Sequence, residues 1–212
     1  MRSVVWCALF SLALVFFVTF SAWADSDLPA PQTEGGMGLF EALKKRSSAP
    51  GGDFPTGPLK AEELSTILWA ATGLNRGEKG WTVPMAMGVE PYCKIYVVQD
   101  DGIFLYSWKE HSLIEISKEN ARAKVGAQNF VKNAPTILIV VSDSEKLARF
   151  QEPERSAFAH VLTGAMTQDV YLASAALNVG ARYLRSMNED AIREALKLKE
   201  GDRPICLVLL GK

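Results

Sequence analysis

The sequence predicts one domain in which helices and strands are mixed, and three observations carry that expectation. A turn signal flanked by β-branched and aromatic residues over 94–116 reads as a β meander. Two short apolar runs, Thr136–Val141 and Ile205–Leu210, read as strands buried on both faces. Between them, Ser156–Asn178 reads as one long helix, apolar over much of its circumference.

The chain has 212 residues, 23 Lys and Arg against 24 Asp and Glu, and a formal charge of −1. That balance argues against a nucleic-acid binder, which needs a basic stripe to displace counterions. Met1–Ala24 reads as a secretory signal peptide: a basic start at Arg2, an apolar run through Val4–Phe20, and the small-x-small site Ala22-Trp23-Ala24 before Asp25. The alternative is a retained anchor, because the run approaches the ~18 residues needed to span a bilayer. Cleavage would leave a periplasmic or secreted protein with no membrane attachment. It would also leave Cys93 and Cys206, either as one bridge or as two free buried thiols.

Residues 25–38 are polar and Pro/Gly-bearing, which suits a flexible N-terminal arm, with the folded domain at 39–212. Leu39–Arg46 is a short helix with Leu39, Phe40 and Leu43 on one face. Ala49–Pro58 is a loop by its breakers. Leu64, Ile67, Leu68 and Ala71 then repeat at helical spacing, with Gly73 placed for a C-cap. Gly77–Gly88 has no period. Lys94–Val98 and Ile103–Trp108 flank Asp101-Gly102, a type I′ hairpin signal, and Leu113–Ile116 adds a third strand. A helix is expected through Asn120–Phe130, ending before Pro135. In the long helix, Ala159, Gly164, Ala165, Ala173, Ala175 and Ala176 would let another helix approach closely, in the domain centre or a dimer interface. Asn188 begins a last helix, closed by Gly201 and Pro204.

Common catalytic signatures are missing. His111 and His160 have no ligand cluster around them, so no metal site is expected. There is no Gly-x-Ser-x-Gly elbow and no Walker A motif. Gly35-Gly36-Met37-Gly38 precedes a helix but follows no strand, which fails the dinucleotide-binding context.

Five segments carry a more specific signal. They are Leu39–Ser48, Leu64–Arg76, Trp81–Pro91, Gly164–Leu172 with Ala176–Gly180, and the closing Arg203–Gly211. In order and spacing they resemble the flavin-dependent nitroreductase family, nearest to the branch of oxidases acting on thiazoline and oxazoline peptides. The resemblance implies an α+β fold, a mixed, mainly antiparallel sheet with flanking helices, and an intertwined homodimer with FMN between subunits. An FMN site needs cations and hydroxyls for phosphate, an amide for the pyrimidine edge, and backbone N–H near the reactive N5. Carried over by position, Lys45, Arg46 and Ser47 would grip phosphate and ribityl, and Asn75 would meet the flavin's polar edge. Pro84, Met85 and Ala86 stand at the loop beneath the ring, and Arg185-Ser186 at the turn facing N5. The chain departs from the family pattern at Ala49, where a second basic residue is usual. It departs again at Trp81 and Met85, where a cation and a hydroxyl are lost, and at Ser186, which replaces a glycine. A basic residue in a C-terminal tail is common in relatives, and this sequence ends at Lys212.

Two functions follow from the resemblance. One is an exported FMN-dependent oxidoreductase moving electrons between a reduced donor and a small organic substrate, with no protein side chain nominated as catalytic. The other is a fold relative that has lost FMN and serves as a scaffold or ligand-binding dimer, its pocket lined by Trp81, Met85 and Met87.

Overall fold

The computed structural model describes residues 25–78, 80–84 and 90–212. The expected leader, Met85 and Ala86 of the expected flavin loop, and Met87 lie outside them. Seven strands form one sheet in the order β1-β4-β3-β2-β5-β7-β6. These are β1 (Asp25–Asp27), β2 (Cys93–Val98), β3 (Ile103–Ser107), β4 (Ser112–Ser117), β5 (Thr136–Ser142), β6 (Gly180–Leu184) and β7 (Arg203–Gly211). The α+β class is as expected, but every pairing between these strands is antiparallel rather than mixed.

Helices cover both faces. On one lie α2 (Ala61–Thr72) and the long α4 (Glu154–Ala176), whose Ile67, Leu68, Leu162, Met166 and Val170 pack on Ile95, Val97, Leu138, Val140, Cys206 and Val208. On the other lie α3 (Arg122–Val125), a 3-10 turn at Asn129–Asn133 and α5 (Glu189–Ala195), packed on Ile137, Ile139, Val141, Leu207 and Leu209. Burial on both faces is why β5 and β7 read as continuous apolar runs. The short α1 (Leu39–Lys45) lies against α4 and buries only Ala42.

Several expectations need correction. The helix expected over 120–130 is two short pieces, divided where Gly126 is extended; a Cβ there would fall 2.5 Å from the Val131 side chain, so the close approach needs glycine. The arm expected at 25–38 is tied down where it begins: β1 pairs with β4, the Ser65 hydroxyl donates to Pro29 O, and Gln32 N–H donates to Thr66 Oγ1. The β2–β3 turn centres on Asp100-Asp101, one residue early, since Gln99 N–H donates to Gly102 O. Gly102 is required by closeness, as a Cβ would lie 2.6 Å from Ser117 O. Gly73 ends α2 without a left-handed φ; there Trp69 Cδ1 lies 2.3 Å from where a Cβ would be.

Cys93 and Cys206 are free and buried. They sit on β2 and β7, with β5 between them. Two strand spacings alone separate them by roughly 9–10 Å, and their β5 partners, Ser142 and Val140, differ, so they lie beyond the ~7 Å a disulfide can bridge. Burial pushes both thiols up to about 12, so both stay protonated and inert.

Candidate functional site

The end of α1 delivers the expected phosphate-binding residues to the flank of α4. Arg46 is the C-cap of α1, its N–H donating to Ala42 O at 2.8 Å. Its guanidinium carbon lies 5.4 Å from the centroid of the Tyr171 ring on α4. Tyr171 Oη accepts from Tyr183 N–H at 2.8 Å and shares a hydrogen bond with Ser48 Oγ at 2.9 Å. The hydroxyl of α4 thus fixes both the loop after α1 and edge strand β6. Arg46, Ser48, Tyr171 and Tyr183 share a cleft of about 350 Å³ with His160 and Gln168.

Ala49 continues this corner. Its N–H donates to Ala181 O at 2.9 Å, and its carbonyl accepts from Arg182 Nη1 at 2.7 Å. The position that lacks a basic residue in the sequence therefore has a guanidinium beside it, reaching in from β6. Arg182 also stacks over Phe130 at 5.6 Å, and its buried Nε has no hydrogen-bond partner. Such an orphaned donor costs free energy unless something accepts from it. Arg182 escaped the sequence reading because nothing in Gly180–Leu184 marks a strand that runs beside residue 49.

The remaining expected residues are spread out. Lys45 is exposed and paired with Glu41 at 3.0 Å; Ser47 is exposed next to Arg46. Arg185 bonds Glu189 at 3.4 Å and lines a neighbouring cleft that shares His160 and Ile205 with the Arg46 cleft. Ser186 Oγ accepts from Gln128 Nε2, while Gln128 Oε1 is buried without a partner. Asn75 is exposed and lines a different cleft, of about 430 Å³, beside the C-terminal half of α4. Pro84 is exposed. Within the chain, then, Arg46 and Arg185 belong to one stretch of surface, and Asn75 to another.

Trp81 stands where the sequence lacked a cation. It packs edge-on against Trp108, with centroids 5.7 Å apart, and its buried Nε1 has no hydrogen-bond partner. Among the described residues no group of three His, Cys, Asp or Glu could hold a metal.

The chain is similar to known proteins over most of its length. The model described as the nitroreductase family matches residues 52–212. A relative from Methanocaldococcus jannaschii is 32% identical over 185 residues, 82% of this chain and 90% of its own. A solved structure from Ralstonia eutropha is 30% identical, with TM-score 0.81 over 89% of each chain; both are described as “putative nitroreductase”. A chain of the E. coli microcin synthetase complex shares the fold at TM-score 0.68 and 13% identity, covering 96% of this chain and 84% of that one.

Proposed function

Since this chain belongs to the nitroreductase family of oxidoreductases, we propose that it is an exported homodimeric enzyme that uses FMN to pass electrons from a reduced donor to a small organic substrate. The observation that carries the cofactor is the Arg46–Ser48–Arg182 corner. Arg46, Ser48 and Tyr171 line one cleft there, and Arg182, bonded to Ala49 O on the Phe130 side of β6, keeps a buried guanidinium N–H without an acceptor. That donor set fits a phosphate dianion.

On this reading Arg46 and Ser47 hold the phosphate, with Lys45 at the rim. Arg182 supplies the charge that Ala49 does not. Asn75, Pro84, Met85 and Ala86 serve the isoalloxazine, and Arg185-Ser186 the N5 edge. Arg46 and Asn75 lie in separate clefts of one protomer, so their joint use of a flavin requires a second copy. When bound, the flavin supplies hydride and electron transfer. The chain's own part is to neutralise the phosphate, orient the ring and exclude water. Kinship with the thiazoline and oxazoline peptide oxidases is part of the same proposal, as is export through cleavage after Ala24. Mass spectrometry of the exported protein should find Asp25 as its first residue.

The test is FMN titration by fluorescence quenching on wild type, Arg46→Ala, Arg182→Ala and the remote control Lys199→Ala. Loss of a charge-assisted contact of about 1.5–3 kcal/mol should weaken binding roughly ten- to a hundred-fold for each arginine variant. The control should match wild type. Binding unchanged in both arginine variants would misplace the phosphate. No binding at millimolar FMN would favour the flavin-free ligand-binding dimer.

A further inference from the structure

The turn between β3 and β4 ends on His111, whose φ of 51° is a left-handed conformation that glycine or asparagine adopts at less cost. A strained histidine at such a position points to a use for its ring. His111 Nε2 lies 2.8 Å from Ser65 Oγ on α2, and Nδ1 lies 2.9 Å from Tyr106 Oη on β3. The Ser65 hydroxyl gives its proton to Pro29 O at 2.5 Å, so it accepts from His111 Nε2–H. With Nε2 carrying the proton, the neutral ring accepts at Nδ1, and Tyr106 Oη–H donates there. Ser65 and Tyr106 are buried, and His111 is half-buried. Three pieces of chain meet at this ring: residues 28–37 through Pro29, α2 through Ser65, and the β3–β4 hairpin through Tyr106. Residues 28–37 are the least firmly held of the three. Residues 32–36 are exposed, and Gln32 N–H donating to Thr66 Oγ1 adds a tie to α2.

We propose that His111 is a pH-sensitive latch: with a neutral ring it clasps residues 28–37 to α2, and with a protonated ring it releases them. An added proton sits on Nδ1, where it meets the Tyr106 O–H, so two donors face each other. Burial pushes the Tyr106 phenol well above its usual range, so it keeps its own proton throughout. The phenol must then turn its O–H into a buried site without an acceptor, or the ring must leave. Burial also opposes the positive charge and lowers the His111 imidazole; the Pro29 carbonyl works the other way, and no charged group enters the balance. The charged neighbours along the surrounding elements are Asp27 on β1, Glu34 in the clasped segment, Glu62 and Glu63 on α2, and Lys109 and Glu110 in the turn. Of these, Glu63 pairs with Lys212 and Glu110 accepts from the Ser107 hydroxyl. A lowered imidazole takes up its proton more readily once the segment is open. The latch is therefore at full strength above the ordinary histidine value of about 6.5 and weakens as pH falls below it. Release would move the wall that residues 32–37 give the cleft beside Asn75. That this frees or admits a flavin rests on the function proposed above; the latch itself does not.

The experiment is hydrogen–deuterium exchange of the purified protein, with no flavin added, between pH 7.5 and pH 5. Exchange is read by mass spectrometry and corrected for its intrinsic pH dependence. Protection of the amides in residues 28–37 should fall about two- to ten-fold on acidification, the equivalent of one hydrogen bond, while β5 and β7 keep theirs. Histidine-selective NMR on the same protein should place the His111 midpoint below about 6.5, with Nε2 as the protonated nitrogen at pH 7.5. His111→Gln keeps a donor and an acceptor in its amide but cannot titrate. Verified as folded by circular dichroism, it should show the same protection at both pH values. The proposal is overturned if wild-type protection of 28–37 ignores pH, or if β5 and β7 lose protection in step with it. It is equally overturned if His111 titrates at or above about 6.5, or if the folded glutamine variant keeps the pH response. Because no arm contains flavin, the FMN titration above can fail without touching the latch, and the latch can fail without touching FMN binding.

Discussion

Lys94 is where charge and burial meet. Its ammonium lies 3.1 Å from both the Asp143 and the Asp202 carboxylate, and both acids are buried. Burial alone would raise the Asp202 carboxyl, but the Ser144 N–H and hydroxyl and the Lys94 ammonium outweigh it and hold it below its usual range. The same carboxylates, working against burial, hold the Lys94 ammonium above its usual range. A depressed carboxyl contributes stability above its unfolded pKa and loses it as pH falls through the folded value. A raised lysine contributes below its unfolded pKa and loses its share as pH rises through the folded one. Lys94→Met, which strands two buried carboxylates, should therefore cost about 3–5 kcal/mol across the neutral range. Urea denaturation checks this: the gap to wild type should narrow only in acid or strong alkali, and a gap below ~1 kcal/mol would make the triad no better than a surface ion pair. At the level of single side chains, the sequence exposed Arg46 but hid the partners that matter. Arg182 and Tyr171 acquire roles from neighbours 133 and 123 residues away, through contacts that no local period encodes.

Among the elements, α4 ties the molecule together and was legible almost to its ends, at Glu154–Ala176 against an expected Ser156–Asn178. Its buried face is core, while Ala157, His160, Val161, Gly164 and Gln168 are exposed, Val161 at 72%. Leu39, Phe40 and Leu43 of α1 are exposed too, Phe40 at 86%. Apolar residues in such number at the surface suit the interface of the proposed dimer, and a Cβ at Gly164 would meet nothing within 4 Å, so the space there is open. Val161→Arg should leave the protomer folded and drive the proposed dimer apart. Light scattering should then give the mass of one chain at micromolar concentration, against two for wild type; an unchanged mass would move the interface elsewhere. The elements that escaped were the short ones. Edge strand β6 carries Gly180 and Arg182 among its five residues, and β1 is three polar residues. Neither buries enough to show a pattern, so pairing with β7 and β4 defines them. The 120–130 segment failed for the opposite reason: helix formers were present, but the backbone turns extended at Gly126 and ends the first piece there.

For the molecule as a whole, an antiparallel sheet buried on both faces makes a rigid platform, and α4 runs along it with functional groups on either flank. One flank gathers Arg46, Ser48, Tyr171 and Arg185; the other holds Asn75. The class of the domain was legible because its central strands and long helix are strongly patterned. The site was legible only as a set of residue types in order, because its assembly depends on how chain segments, and in the proposed enzyme two chains, come together. The central claim is that a dimer of this chain holds FMN. Sedimentation velocity of the purified protein with added FMN, followed at the flavin absorption band and at the protein band, tests it in one run. The account predicts that flavin and protein sediment together at the mass of two chains, with about one FMN per chain. Flavin left behind in the slow, free fraction, or protein sedimenting as a single chain, would contradict it.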